Sequence, residues 1–334
     1  MHFTSLVILV LLLTGCSKVE PNLPKLSHSI PNAEEIASSL KSLTSSTNAK
    51  FLNQTKRLTE LTHAYLDAPN QQTLNELQEQ WLAAHIAFSH TQHGLLTNKP
   101  DGLFRLDAWP IQPGFIDNLV DYPYSGIIHD TTLEITTQTL IEQHGITDSG
   151  EVVLGFHALE LLVFTRPTSD FEPGDATRER RRLLLELIAN QMLSDAEEIT
   201  AASQLIFEDS SPDEVVRLFL RQTLSTVRRI FRESHLVAAQ GTEHCLSRDR
   251  SLRILHEEMI ALRRFMVDDV AVAESFRGMD PATVNNFMLT IRDAPDTIER
   301  SAFDEIAMAN APLVLAALTH QLEALDKAAN YPQP

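Results

Sequence analysis

Gly155-Phe156-His157-Ala158-Leu159-Glu160, running on into Leu161-Leu162-Val163-Phe164, is the stretch from which the rest of the chain can be read. Its apolar rhythm predicts an amphipathic helix. On a helix His157 and Glu160 lie three residues apart and project from one face, within reach of a shared metal ion or proton. Helical rhythm extends in both directions from it. Asn32 is expected to cap a helix beginning Ala33-Glu34-Glu35, with Ile36, Leu40 and Leu43 as its stripe. A second helix is expected over about Ala49 to Leu66, and a third over about Thr73 to Leu96 with Leu74, Leu77, Trp81, Ala84 and Phe88 as the buried line. No alternating strand run interrupts them, and glycine is scarce, at 11 residues in 334.

Thr97 to Ile127 breaks the rhythm with Pro100, Pro110, Pro113 and Pro123. Phe104, Trp109, Phe115, Tyr122 and Tyr124 make it too aromatic for disorder, so it should pack on the bundle. Helices resume over about Thr131 to Gln143 and Gly150 to Phe164. After a Thr165 to Gly174 connector, they continue over Asp175 to Phe207, past a Ser211-Pro212-Asp213-Glu214 capping box, over Arg250 to Asp269 and Pro281 to Arg292, and from Asp296 to Ala329 as one helix or two. The fold class is therefore all-α, built as two antiparallel helical bundles: residues 32–166 in the first and 167–330 in the second.

The N-terminus reads as a targeting segment. Phe3 to Leu13 is too short to span a bilayer and suits an export signal, and Leu13-Thr14-Gly15-Cys16 has the pattern of a lipoprotein signal whose cysteine is lipidated. Residues 1–15 are expected to be removed, residues 16–31 to form a tether, and Cys16 to be the membrane anchor. Ser17 after the cysteine suits an outer-membrane destination facing the periplasm. Cys245 is then the one remaining thiol, so no internal disulfide is expected and stability must come from packing. With 45 acidic against 27 basic residues the formal charge is −18, which argues against nucleic acid as a partner.

Two ligands do not make a metal site, and the H-E-x-x-H zinc-protease signature is absent from the chain. His85, His90 and His93, one to two turns apart, can add imidazoles. Asp107 and Asp117, in the irregular segment, can either cap turns or face a cleft. Arg180, Arg181 and Arg182 read as a solvated face plus one buried salt bridge. Ser247 and Asp249 are further candidates for lining a cleft, and Cys245 reads as a small buried hydrophobe.

The residues Gly155 to Glu160 resemble the G-x-H-x-x-E signature of the imelysin-like family of bacterial envelope proteins. Trp81-Leu82-Ala83-Ala84-His85-Ile86-Ala87-Phe88 is similar to that family's tryptophan-led helix. Asp107-Ala108-Trp109-Pro110 with Phe115-Ile116-Asp117 resembles its W-P loop, and Glu243-His244-Cys245-Leu246-Ser247 resembles a less regular element of its second half. The resemblance spans roughly residues 33 to 328. It implies two bundle-like domains with the signature at a cleft between them, and a role in iron acquisition or metal binding, with iron or zinc as the ion and iron-uptake proteins as partners. His157, Glu160, His85, Asp107 and Asp117 are the residues it points to. The family also carries a peptidase label, which leaves a metallopeptidase as the alternative to a non-catalytic binder, and a structural protein that has lost its ligand as a third. Gln92 and Gln112 depart from the family pattern of carboxylates, and fewer oxygen anions weaken a ferric site.

Overall fold

Thirty-five residues from Ala33 to Asp67 contain neither glycine nor proline, and they form one unbroken helix, α1. The computed structural model describes residues 29–98, 100–240, 244–278, 281–300 and 305–330. Cys16, the signal segment and most of the tether therefore lie outside the described residues. The helices that follow are α2 (Gln71–Thr91), α3 (Pro100–Leu106), α4 (Pro113–Ile116), α5 (Thr137–Gln143), α6 (Phe156–Thr165), α7 (Ala176–Asp209), α8 (Pro212–Gln240), α9 (Arg248–Arg263), α10 (Pro281–Arg300) and α11 (Glu305–Asn330). Among the described residues there is no strand, only an isolated bridge between Leu119 and Tyr122. The all-α expectation holds.

Local chemistry explains where the elements begin. Asn70 caps α2, and Thr136 and Thr139 exchange hydrogen bonds in a capping box that starts α5 later than expected. Asp175 caps α7 by accepting the Arg178 N–H. The Ser211/Glu214 box forms as read, with Glu214 Oε2 accepting the Ser211 N–H at 2.9 Å. Asn32 does not cap: it adopts φ 57°, its side chain makes no capping bond, and its carbonyl accepts the Ile36 N–H. The two helices expected over 33–66 are one: of the polar run between them Thr44, Thr47 and Asn48 are buried, with Thr44 donating to the Gly94 carbonyl and Thr47 to that of Thr44.

Two apolar clusters form the interior. The first joins Phe51, Leu58 and Tyr65 of α1 to Trp81 and Phe88 of α2, Phe156 and Leu159 of α6, and Leu184, Ile188 and Met192 of α7. The second joins Ile36 and Leu40 of α1 to Phe219 and Val227 of α8, Met259 of α9, Phe287 and Ile291 of α10, and Leu318 and Leu322 of α11. Each fully buried leucine or phenylalanine contributes about 1.5–3 kcal/mol of transfer free energy. Helix α1 threads both clusters, and α7 runs antiparallel along it. Thr59 donates to the Ala189 carbonyl and Arg182 to the Leu66 carbonyl, two contacts of the same register.

The irregular segment is more ordered and less buried than its composition suggests. It contains α3 and α4, yet Phe104, Tyr122 and Tyr124 are exposed rather than packed. Arginines hold it in place. Arg180 reaches the carbonyls of Ile127, Ile128, Asp130 and Leu133, and Arg166 reaches that of Asn118. The expectation of a solvated face for Arg180 and Arg182 is thus corrected, since both are spent on backbone carbonyls. Arg181 supplies the buried salt bridge, to Asp117.

Candidate metal centre

Trp81 and His85 lie one turn apart on the face of α2 that meets α6, and Gln92 caps the C-terminus of α2. The Trp81 indole donates to the Phe156 carbonyl at 2.8 Å, and the His85 ring stacks on the Phe156 ring at 4.3 Å with only 3° between planes. These contacts dock the start of α6 on α2. Gly155 sets that start: its φ is 90°, and a Cβ there would come within 2.0 Å of the Arg105 carbonyl oxygen. Only glycine satisfies both conditions. The close approach brings the end of α3, and Asp107 just beyond it, beside His157. Arg105 is tied in turn to Asp195 of α7 at 2.6 Å.

Asp107 is the hub. Its Oδ1 faces His85 Nε2 at 3.0 Å, His157 Nε2 at 3.2 Å and His244 Nε2 at 3.5 Å. Its Oδ2 accepts from Gln92 at 3.0 Å and lies 3.5 Å from Arg229 of α8. Arg229 also bonds Gln92 and, at 2.9 Å, Glu258 of α9. Burial pushes the Asp107 carboxyl up, but the charge of His244 and hydrogen bonds from His157, His244 and His85 outweigh it and hold the group well below the usual carboxylate range. Burial dominates at His85 and lowers it to about 4 against the pull of Asp107, so its ring is neutral at pH 7.

Ligand atoms of His85, Asp107, His157 and His244 all lie within 4.8 Å of one another. One carboxylate oxygen has two lone-pair directions and is faced here by three imidazoles, more than it can serve well as an acceptor. Three imidazoles and a carboxylate are a donor set suited to a divalent transition ion, iron(II) or zinc among them. The residues present fit such an ion. Gln92 contributes an amide rather than a further oxygen anion, which biases the set away from ferric iron.

Glu160 occupies a different position from its sequence neighbour's. Its Oε2 is 3.4 Å from His157 Nδ1, while Oε1 accepts from the Leu246 N–H at 3.0 Å and from Arg250 at 2.9 Å. Burial raises it, yet the His157 hydrogen bond and the charges of His157 and Arg250 bring it below the ordinary glutamate value. It therefore stands behind His157 and orients that ring. Both residues are buried, at 1% exposure each.

Asp117 is not part of this group. It is buried among Arg181 at 2.7 Å, Arg166 at 3.2 Å and His129 at 3.4 Å. His90 pairs with Glu257 of α9 and His93 with the Glu258 carbonyl. Ser247 caps α9, Asp249 is exposed in its first turn, and Gln112 bonds Asp148 at the surface. The residues that sequence reasoning passed over are His244 and Arg229. His244 lay within the quoted second-half element and was legible there, whereas Arg229 is one arginine among many on an amphipathic helix and carried no signal.

A family model described as imelysin, of peptidase class M75, matches residues 46–330. Among solved structures, an imelysin-like protein from Psychrobacter arcticum aligns with a TM-score of 0.60 and 15% identity over 87% of this chain and 94% of its own. A protein from Parabacteroides distasonis, named as an iron-regulated protein A precursor, aligns with a TM-score of 0.65 and 12% identity over 92% and 98%. At such identities the likeness is one of fold. No functionally curated protein matches. The family model spans α2, the Gly155 start of α6 and the His244 element alike, and on that match the chain belongs to the imelysin family.

Proposed function

We propose that this protein is a non-catalytic, lipid-anchored envelope protein that binds a divalent transition metal ion, iron(II) foremost, through His85, Asp107, His157 and His244. The observation that carries the reading is the convergence of three imidazoles on one carboxylate within 4.8 Å. Glu160 orients His157 from behind rather than ligating. Anchoring through Cys16 at the outer membrane, on the periplasmic side, and handover to iron-uptake proteins complete the proposal. The name of the Parabacteroides protein supports iron, as that protein's own description. A peptidase would need Glu160 as general base, and a carboxylate already accepting from Arg250 and the Leu246 N–H, with its proton affinity lowered, is a poor one.

Anaerobic equilibrium dialysis against iron(II), followed by elemental analysis, tests the reading. One ion per chain is expected, with His157→Ala and His244→Ala abolishing retention. Glu160→Gln should weaken affinity by about 10–100-fold, the usual cost of removing a group that orients a ligand. Retention unchanged in both histidine variants would overturn the assignment.

A further inference from the structure

His157 has two ring nitrogens, and only Nε2 faces Asp107. Its Nδ1 lies 3.4 Å from Glu160 Oε2, and ligand atoms of His157, Glu160 and Cys245 again lie within 4.8 Å of one another. All three residues are buried, with Cys245 at 3% exposure. Two hydrogen bonds build this corner: the Cys245 N–H donates to Ser251 Oγ at 2.8 Å, and the Leu246 N–H donates to Glu160 Oε1 at 3.0 Å. The thiol is thus seated beside the His157/Glu160 pair by its own backbone.

We propose that His157 Nδ1, Cys245 Sγ and Glu160 Oε2 form a second cation position, selective for a soft monovalent ion of the copper(I) or silver(I) class and mutually exclusive with the first. Sulfur and imidazole donors select soft ions over hard ones. Arg250, 2.9 Å from Glu160, offsets the carboxylate. Burial and then the charges of Glu160 and Asp107 hold the Cys245 thiol well above its ordinary range, so only an ion with a strong preference for sulfur displaces its proton. The thiol proton passes to solvent as the sulfur–metal bond forms. Exclusion follows from the ring: a neutral imidazole has one nitrogen lone pair and one N–H, so His157 can ligate on one side only. The exclusion, unlike the second position itself, rests on the function proposed above.

Silver(I), which needs no reductant, is the probe, used with the full chain carrying Cys16→Ser so that Cys245 is its one thiol. Titration followed by thiolate-to-silver absorption should show one equivalent bound. Cys245→Ser should weaken binding by about 100-fold and His157→Gln by about 10-fold, the scale of losing one ligand of a small set. Cobalt(II) bound first, and read by its visible absorption, should be expelled by one equivalent of silver in the parent and retained in Cys245→Ser. Silver affinity indifferent to His157→Gln, in a variant whose circular dichroism matches the parent, would mean a bare thiol and overturn the proposal. Silver and cobalt bound together would overturn the exclusion. If cobalt never binds, the preceding reading fails while the silver titration still decides this one.

Discussion

Gly155 is the residue on which the centre's geometry turns. A side chain there would have to accept both a φ of 90° and a carbonyl oxygen 2.0 Å from its Cβ. Gly155→Ala is therefore expected to push the start of α6 off the Arg105–Leu106 peptides, separating His157 from Asp107. We expect a loss of about 3 kcal/mol in urea unfolding, from backbone strain together with the clash, and loss of metal retention in the fraction that folds. An unchanged urea midpoint would mean that the helix shifts freely and that the glycine is dispensable. His157 and Glu160 differ in role despite sharing a helical face. The imidazole points forward at Asp107, while the carboxylate is held from behind by Arg250 and the Leu246 N–H.

Between elements, buried arginines do the joining. Asp117, at the end of α4, receives Arg181 of α7 and Arg166 from the end of α6, which ties three elements at one carboxylate. Burial raises Asp117 while the Arg181 hydrogen bonds and charge outweigh it and lower its pKa, so the group is ionised at neutral pH. Asp117→Asn leaves two guanidinium groups facing a neutral amide. It should cost about 3–5 kcal/mol in chemical denaturation, the usual result of breaking a buried pair from one side. Iron(II) retention by the folded fraction should be unaffected, since no metal-centre residue touches Asp117. A variant as stable as the parent would show that the pair contributes nothing net.

For the molecule as a whole, buried imidazoles set the response to acid. His144 accepts the Leu154 N–H at 3.2 Å through Nδ1, and burial first, then the charge of Arg105, lowers it to about 4. His93 is lowered further, to about 3, again chiefly by burial. Each stays neutral in the folded chain while the unfolded chain takes up a proton near pH 6.5. Their stability is accordingly intact above pH 6.5 and lost as pH falls toward the folded values. The unfolding free energy measured without metal should drop between pH 7 and pH 5. His144→Asn, which keeps an acceptor near the Nδ1 position, should reduce that drop by about 2 kcal/mol. A slope identical to the parent's would remove His144 from the account.

Periodicity and caps were enough to read helices and their order, because a 3.6-residue stripe and a Ser211/Glu214 box act within one turn of chain. The Gly-x-His-x-x-Glu spacing likewise announced where polar chemistry sits. Packing decided that α1 is continuous: Thr44, in the polar run between its two apolar stripes, finds its partner across the fold, at the Gly94 carbonyl. Packing also parted two aspartates that look alike in sequence: Asp107 meets imidazoles from α2, α6 and the segment before α9, whereas Asp117 meets arginines. A carboxylate's role depends on which charges reach it, and here those charges come from residues far away along the chain. That is why the helices could be read from local pattern while the convergence of His85, His157 and His244 on Asp107, and the approach of Arg229, emerged only once the helices were packed.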